Sequence, residues 1–258
     1  MADLKFNNYI GIDYSGAKTS LSRLAQLQIY TADPDSNPRS INPPKKGIKN
    51  WCRKELTGCF KEILKSKDKT IIGIDHGLSF PYDFFKKNKL DSWYQMLAFV
   101  TERWKTSLDT VTVEQARQKV GSPGKANEYR LTEKWMPAAK SVFHFDVQGS
   151  VAKSTHAGIP WIYEIMQDVE IRNRTHFWPF DGFDVKPGKN VVAEIFPSLF
   201  RKRYDKRKRS DDQHDAFVVS AWLRDTDKRG LLNYYFNPRL TESEKQLVVL
   251  EGWILGVL

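Results

Sequence analysis

Three apolar runs of this chain each end in a carboxylate. Tyr9-Ile10-Gly11-Ile12 leads into Asp13, Ile71-Ile72-Gly73-Ile74 into Asp75, and Val191-Val192-Ala193 into Glu194. Runs of Ile, Val and Gly without polar alternation predict strands buried on both faces, in a parallel or mixed sheet covered by helices. The first strand is predicted at 9–14 with a Ser15-Gly16 turn, the next at 70–75, and a later one at 191–196, stopped by Pro197. Between the first two, Ser20 to Thr31 mixes apolar and polar positions and predicts one or two antiparallel strands. Asp33 to Lys46 holds Pro34, Pro38, Pro43 and Pro44 and predicts an exposed loop. The spacing of Ile48, Trp51, Leu56, Phe60, Ile63 and Leu64 predicts an amphipathic helix over Ile48–Lys65.

The pattern then loosens. Residues from about 82 to 140 read as an insertion of helices and loops, with a helical block at Trp93, Met96, Leu97, Val100 and Trp104. A short strand is predicted over Ser141–Val147 and a helix over Gly149–Gln167 that Pro160 interrupts or kinks. Ser210 with Gln213 forms a capping box that opens a helix from Asp211 to about Arg224. Thr241 with Glu244 forms a second one, opening a C-terminal helix that ends in Trp253-Ile254-Leu255. No repeat or linker divides the chain, so its 258 residues predict a single α/β domain over 1–258.

Charge adds a partner class. Lys plus Arg number 41 and Asp plus Glu 31, a net charge of +10. A basic surface around an acidic cleft suits a polyanion such as DNA or RNA. Cys52 and Cys59 form no CxxC pair, which argues against a zinc site or a disulfide scaffold. Met1 to Asn8 is polar, and no apolar run approaches membrane-spanning length. A cytoplasmic protein without a membrane partner is expected.

An acid at the end of a buried strand does not serve packing. Several acids at one sheet edge repel one another unless a cation lies between them, so the pattern predicts a divalent-metal site. Hard oxygen ligands without cysteine favour Mg²⁺ or Mn²⁺. Asp211 and Asp212 precede Asp215 by one helical turn and share its face, with Asp212 the nearer fit as a spare ligand. The plainer alternative gives each acid a turn or helix-capping role. His214 and His76 stand beside two of the acids, as proton carriers or as ordinary solvated side chains.

The order strand–acid, antiparallel strands, helix, strand–acid, strand–acid, helix–acid resembles the RNase H-like superfamily. The blocks YIGIDYSGAK (9–18), IIGIDHGLSFP (71–81), FDVQGSVAKSTHAGIP (145–160), VVAEIFPSLF (191–200) and DDQHDAFVVSAW (211–222) resemble its predicted nuclease branch known as domain of unknown function 429. The resemblance implies an RNase H-like mixed sheet flanked by helices. It also implies a metal-dependent phosphodiester hydrolase in which Asp13 touches both metals, Asp75 and Glu194 sit at neighbouring strand ends, and Asp215 closes the site. Asp75 stands where several members carry Glu. The basic run Arg201, Lys202, Arg203, Arg207, Lys208 and Arg209 lies between Glu194 and Asp215 and is expected to hold phosphates, with Tyr204 available for stacking. Lys18, Arg130 and Lys153 are further basic candidates near the family-like blocks. Two alternatives stay open: a non-cleaving nucleic-acid-binding protein of the same fold, and an actin-like or sugar-kinase-type ATP-binding protein.

Overall fold

The computed structural model describes residues 5–136, 138–147 and 149–258; the start of the polar Met1–Asn8 segment lies outside them. The chain begins with strands β1 (Asn8–Asp13), β2 (Gln28–Ala32) and β3 (Arg39–Ser40), and returns through helix α1 (Arg53–Lys65) to β4 (Thr70–Asp75). Helices α2 (Tyr82–Asn88), α3 (Trp93–Arg103), α4 (Val113–Val120), α5 (Leu131–Trp135), α6 (Ala152–Met166) and α7 (Val169–Arg174) follow. Strands β5 (Thr175–Phe177) and β6 (Asn190–Glu194) complete the sheet before α8 (Asp211–Lys228), α9 (Leu232–Phe236) and α10 (Glu242–Glu251). The six strands lie in the order β3-β2-β1-β4-β6-β5. β1, β4, β6 and β5 are mutually parallel, and β2 runs antiparallel to both β1 and β3. This is a mixed α/β sheet flanked by helices.

Strand alternation sorts the side chains into two cores. Ile10, Ile12, Ile72, Ile74 and Val192 pack with α1, α3 and α6 through residues such as Phe60, Leu97 and Ile162. Tyr9, Ile71, Val191 and Ala193 face Val218, Val219 and Trp222 of α8. On that second face β1 and β4 carry glycines. A Cβ on Gly11 would lie 2.1 Å from the Ala216 carbonyl oxygen, and one on Gly73 would lie 2.6 Å from the Val219 side chain. The α8 backbone therefore rests almost directly on β1, and Ser220 Oγ donates to Tyr9 O at 2.8 Å.

The strands at 9–14, 70–75 and 191–196 and both capping boxes are present within a residue or two at their ends. Other segments differ. Only 28–32 of the stretch from Ser20 is a strand. Ahead of that stretch the buried Arg53 guanidinium donates to the carbonyls of Ser15, Ala17 and Lys18 at 2.8–3.1 Å, and within it Lys54 N donates to Ser20 O and Leu24 N to Trp51 O, which ties the chain to the start of α1 rather than to the sheet. That same arginine opens α1, so residues before it lie outside the helix, with Cys52 at the N-cap and Trp51 bridged to Leu24. Residues 141–147 form turns rather than a strand, and Phe143 and Phe145 pack around His156. Pro160 sits inside α6, which continues to Met166. The expected insertion supplies α2 to α5, and its Phe84, Trp93 and Leu97 share a core with Ile72 and Ile74. α10 stops at Glu251, where Gly252 takes a φ of 79°. The last apolar residues then run along the sheet, with Leu255 N donating to Glu194 O at 2.8 Å.

Candidate carboxylate site

Asp13 and Asp75 are direct partners in the parallel β1–β4 register. Alternation puts both on the face of Gly11 and Gly73, beneath the start of α8. The glycines let α8 descend there, and the Ser210 cap starts that helix so that Asp212 and Asp215 enter the same neighbourhood. Glu194 is the register partner of Ile74 on β6 and shares the parity of Val192, so it belongs to the opposite face. The sequence brought five acids to one edge of the sheet; strand parity turns Glu194 away from the other four, and it meets Asp75 only across a small cavity that Arg130 also lines.

Asp13 and Asp75 make no side-chain hydrogen bond or ion pair with any described residue. Burial foremost, then the charges of Asp75, Asp215 and Asp212, push the Asp13 carboxyl well above the usual carboxylate range, with Arg201 pulling against them. Burial, then Asp215 and Glu194, do the same to Asp75. Burial also raises Asp212, aided by Asp215 and Asp211. Asp215 is clamped instead: Arg201 Nε donates to its Oδ1 at 2.6 Å and a second guanidinium nitrogen to its Oδ2. Arg201 is two-fifths exposed along its side chain.

Glu194 is clamped more firmly. Arg130 donates to its two oxygens at 2.6 and 2.7 Å, and Leu78 N donates at 3.1 Å. Arg130 also reaches Glu133 Oε1 at 2.8 Å. Its side chain is 1 % exposed, so it is a buried counter-ion and not the nucleic-acid contact expected of it. Nothing in its sequence context separates it from a surface arginine except Glu133 at the i,i+3 position.

The other basic candidates are at the surface. Lys18 is exposed in a left-handed turn with a φ of 53°. Lys153 pairs with Glu114 across α6 and α4. Lys202, Arg203, Arg207 and Lys208 are exposed, and no ion pair to a carboxylate holds them among the described residues. Arg209 lies 3.6 Å over the Phe217 ring. Tyr204 donates to Asp225 Oδ2 at 3.0 Å, so its hydroxyl is already engaged. With Arg209 covering Phe217, this run offers guanidinium and ammonium groups rather than open aromatic faces. His214 is buried at 3 % exposure rather than solvated. His76 packs edge-on to Tyr14, and burial lowers its pKa to about 4, which keeps the ring neutral at physiological pH.

These side chains meet a hard cation only in part. The unpartnered Asp13 and Asp75 carboxylates fit one, whereas Arg201 and Arg130 occupy both oxygens of Asp215 and Glu194. Among the described residues no three His, Cys, Asp or Glu side chains are gathered closely enough to hold an ion as they stand. No described helix is long and apolar enough to cross a membrane. Searches of protein-family models, curated proteins and solved structures find no match to this chain.

Proposed function

We propose that this chain is a divalent-metal-dependent nuclease with an RNase H-like fold, acting on phosphodiester bonds of DNA or RNA. The observation that carries the reading is the register pair Asp13 and Asp75: two raised, unpartnered carboxylates side by side under the α8 acids. Leaving two like charges so placed is unfavourable unless a cation is meant to lie between them. The strand order and directions support the fold assignment, because an antiparallel β1–β2–β3 meander followed by parallel strands is what the resemblance implies.

In this reading Asp13 and Asp75 hold Mg²⁺ or Mn²⁺, and Asp212 and Asp215 are the reserve ligands from α8. The ions would supply Lewis acidity and an activated water. Arg201 neutralises Asp215 at rest and is close enough to turn toward a substrate phosphate. The exposed Lys202, Arg203, Arg207 and Lys208 draw the polyanion in, with little sequence preference, because they offer charge and no base-reading surface. Residence in the cytoplasm belongs to the same proposal and rests on the two free cysteines.

A second reading, binding without cleavage, is favoured by the arginine clamps on Glu194 and Asp215. A panel of labelled DNA and RNA substrates incubated with Mg²⁺ or Mn²⁺ separates the two. Cleavage by wild type and none by Asp13→Asn supports the nuclease; retention of substrate by both proteins with no metal-dependent product supports the binding protein.

A further inference from the structure

Away from the carboxylates, the β5 edge of the sheet carries a cleft of about 520 Å³. It lies toward the other end of the strands, since Thr175 in its wall pairs with Asn190, the first residue of β6, whereas Glu194 is the last. Arg172 of α7 and Lys186 and Lys189 of the loop entering β6 line it. Neither Arg172 nor Lys186 makes a hydrogen bond or ion pair through its side chain to a described residue, and Lys189 reaches only the Asn173 carbonyl. The one acid in the lining, Asp181, is engaged: its carboxylate accepts from Phe177 N at 2.7 Å and from the Tyr94 hydroxyl.

Three cations against one carboxylate leave the concavity net positive, and an anion relieves the remaining repulsion. A neutral side chain completes the polar lining. His176 is held neutral by burial, and its Nε2 lies 2.9 Å from Gly182 O. The volume is that of a small-molecule site and exceeds what inorganic phosphate fills. Tyr94, part-exposed beside the stacked Trp93–Phe180 pair, gives the cleft an aromatic wall.

We propose that this cleft binds the phosphate of a phosphomonoester, with Arg172, Lys186 and Lys189 on the phosphate oxygens and Tyr94 against a ring of the ligand. The phosphate comes either from a free mononucleotide or from the 5′ end of a nucleic-acid strand. The site needs no metal and stands independently of the nuclease reading.

Calorimetric titration of the full chain in metal-free buffer tests it, with adenosine monophosphate, uridine monophosphate, and one short oligonucleotide in 5′-phosphorylated and 5′-hydroxyl forms. Lys186→Gln with Lys189→Gln should weaken binding by about tenfold or more, because charge-assisted hydrogen bonds are lost. Arg172→Gln should weaken it several-fold with the melting temperature retained, and Asp13→Asn should leave it unchanged. Binding of the mononucleotides identifies a free ligand. Binding of the phosphorylated oligonucleotide alone, lost in the double lysine variant, identifies a strand end. If wild type binds none of these probes, or if the double lysine variant binds as tightly as wild type, the proposal is overturned.

Discussion

At Asp13 and Asp75 the protein carries charge it does not itself neutralise, and single substitutions there separate function from stability. Asp13→Asn is close to isosteric and removes one of two adjacent charges. Cleavage should fall to background while metal-free stability rises, as read by denaturant midpoints. The pH dependence follows from the direction of the shifts. Folding raises both carboxyls above the unfolded value of about 3.9. The stability they contribute is therefore fully present below that value and is lost as pH rises through their folded pKa values. Asp13→Asn should flatten that decline; a midpoint-versus-pH curve parallel to wild type would show that the two acids are not coupled. Arg130 has the opposite character. Among the described residues it is the sole guanidinium on Glu194, and it also serves Glu133, with both acids buried. Arg130→Met leaves two carboxylates uncompensated and should cost about 3–5 kcal/mol in chemical denaturation.

The elements explain why some of this was readable in the sequence and some was not. β1, β4, β6 and α8 are written in local signals: apolar runs that end in acids, and a cap that starts a helix. The glycines of IGID read as part of a buried strand, and the structure gives them a further task, since Gly11 and Gly73 let α8 settle on the sheet. Gly11→Ala should destabilise by on the order of 3 kcal/mol, because the new methyl meets backbone at 2.1 Å and cannot be accommodated by a rotamer change. A thermal melt matching wild type would mean that α8 sits higher than described. What stayed hidden depends on contacts between residues distant in sequence. Arg53 holds carbonyls of a loop more than thirty residues earlier, and Leu24, inside the stretch expected as strand, bonds Trp51 O instead of a sheet neighbour. β5 is three residues long and is defined by its pairing with β6. Arg130 finds Glu194 at a separation of 64 residues. The face occupied by Glu194 was fixed by strand parity, which the sequence contains but which becomes informative only once the register with β4 is known.

Across the whole molecule, a net charge of +10 surrounds a half-buried acidic pair, and the two have separable consequences. In the proposed function the exposed run from Arg201 to Arg209 acts at a distance on a polyanion. Replacing Arg207, Lys208 and Arg209 with Gln should weaken binding alike for all sequences and flatten the slope of log affinity against log salt by about 0.7–0.9 per lost phosphate contact. Single-turnover cleavage at saturating substrate should change far less, since none of these side chains touches Asp13 or Asp75. The acidic pair acts on the folding equilibrium instead. A cation that binds the native site and not the unfolded chain stabilises by mass action, by about 2.7 kcal/mol at a hundredfold excess over its dissociation constant. Mn²⁺ should therefore raise the melting temperature of wild type, and Asp13→Asn should blunt that rise even though its metal-free form starts out more stable. The crossing of these two effects is specific, because general salt screening would shift both proteins in the same direction. A wild-type melting temperature indifferent to Mn²⁺ would leave Asp13 and Asp75 as an unneutralised pair and remove the ground for a metal-dependent reaction.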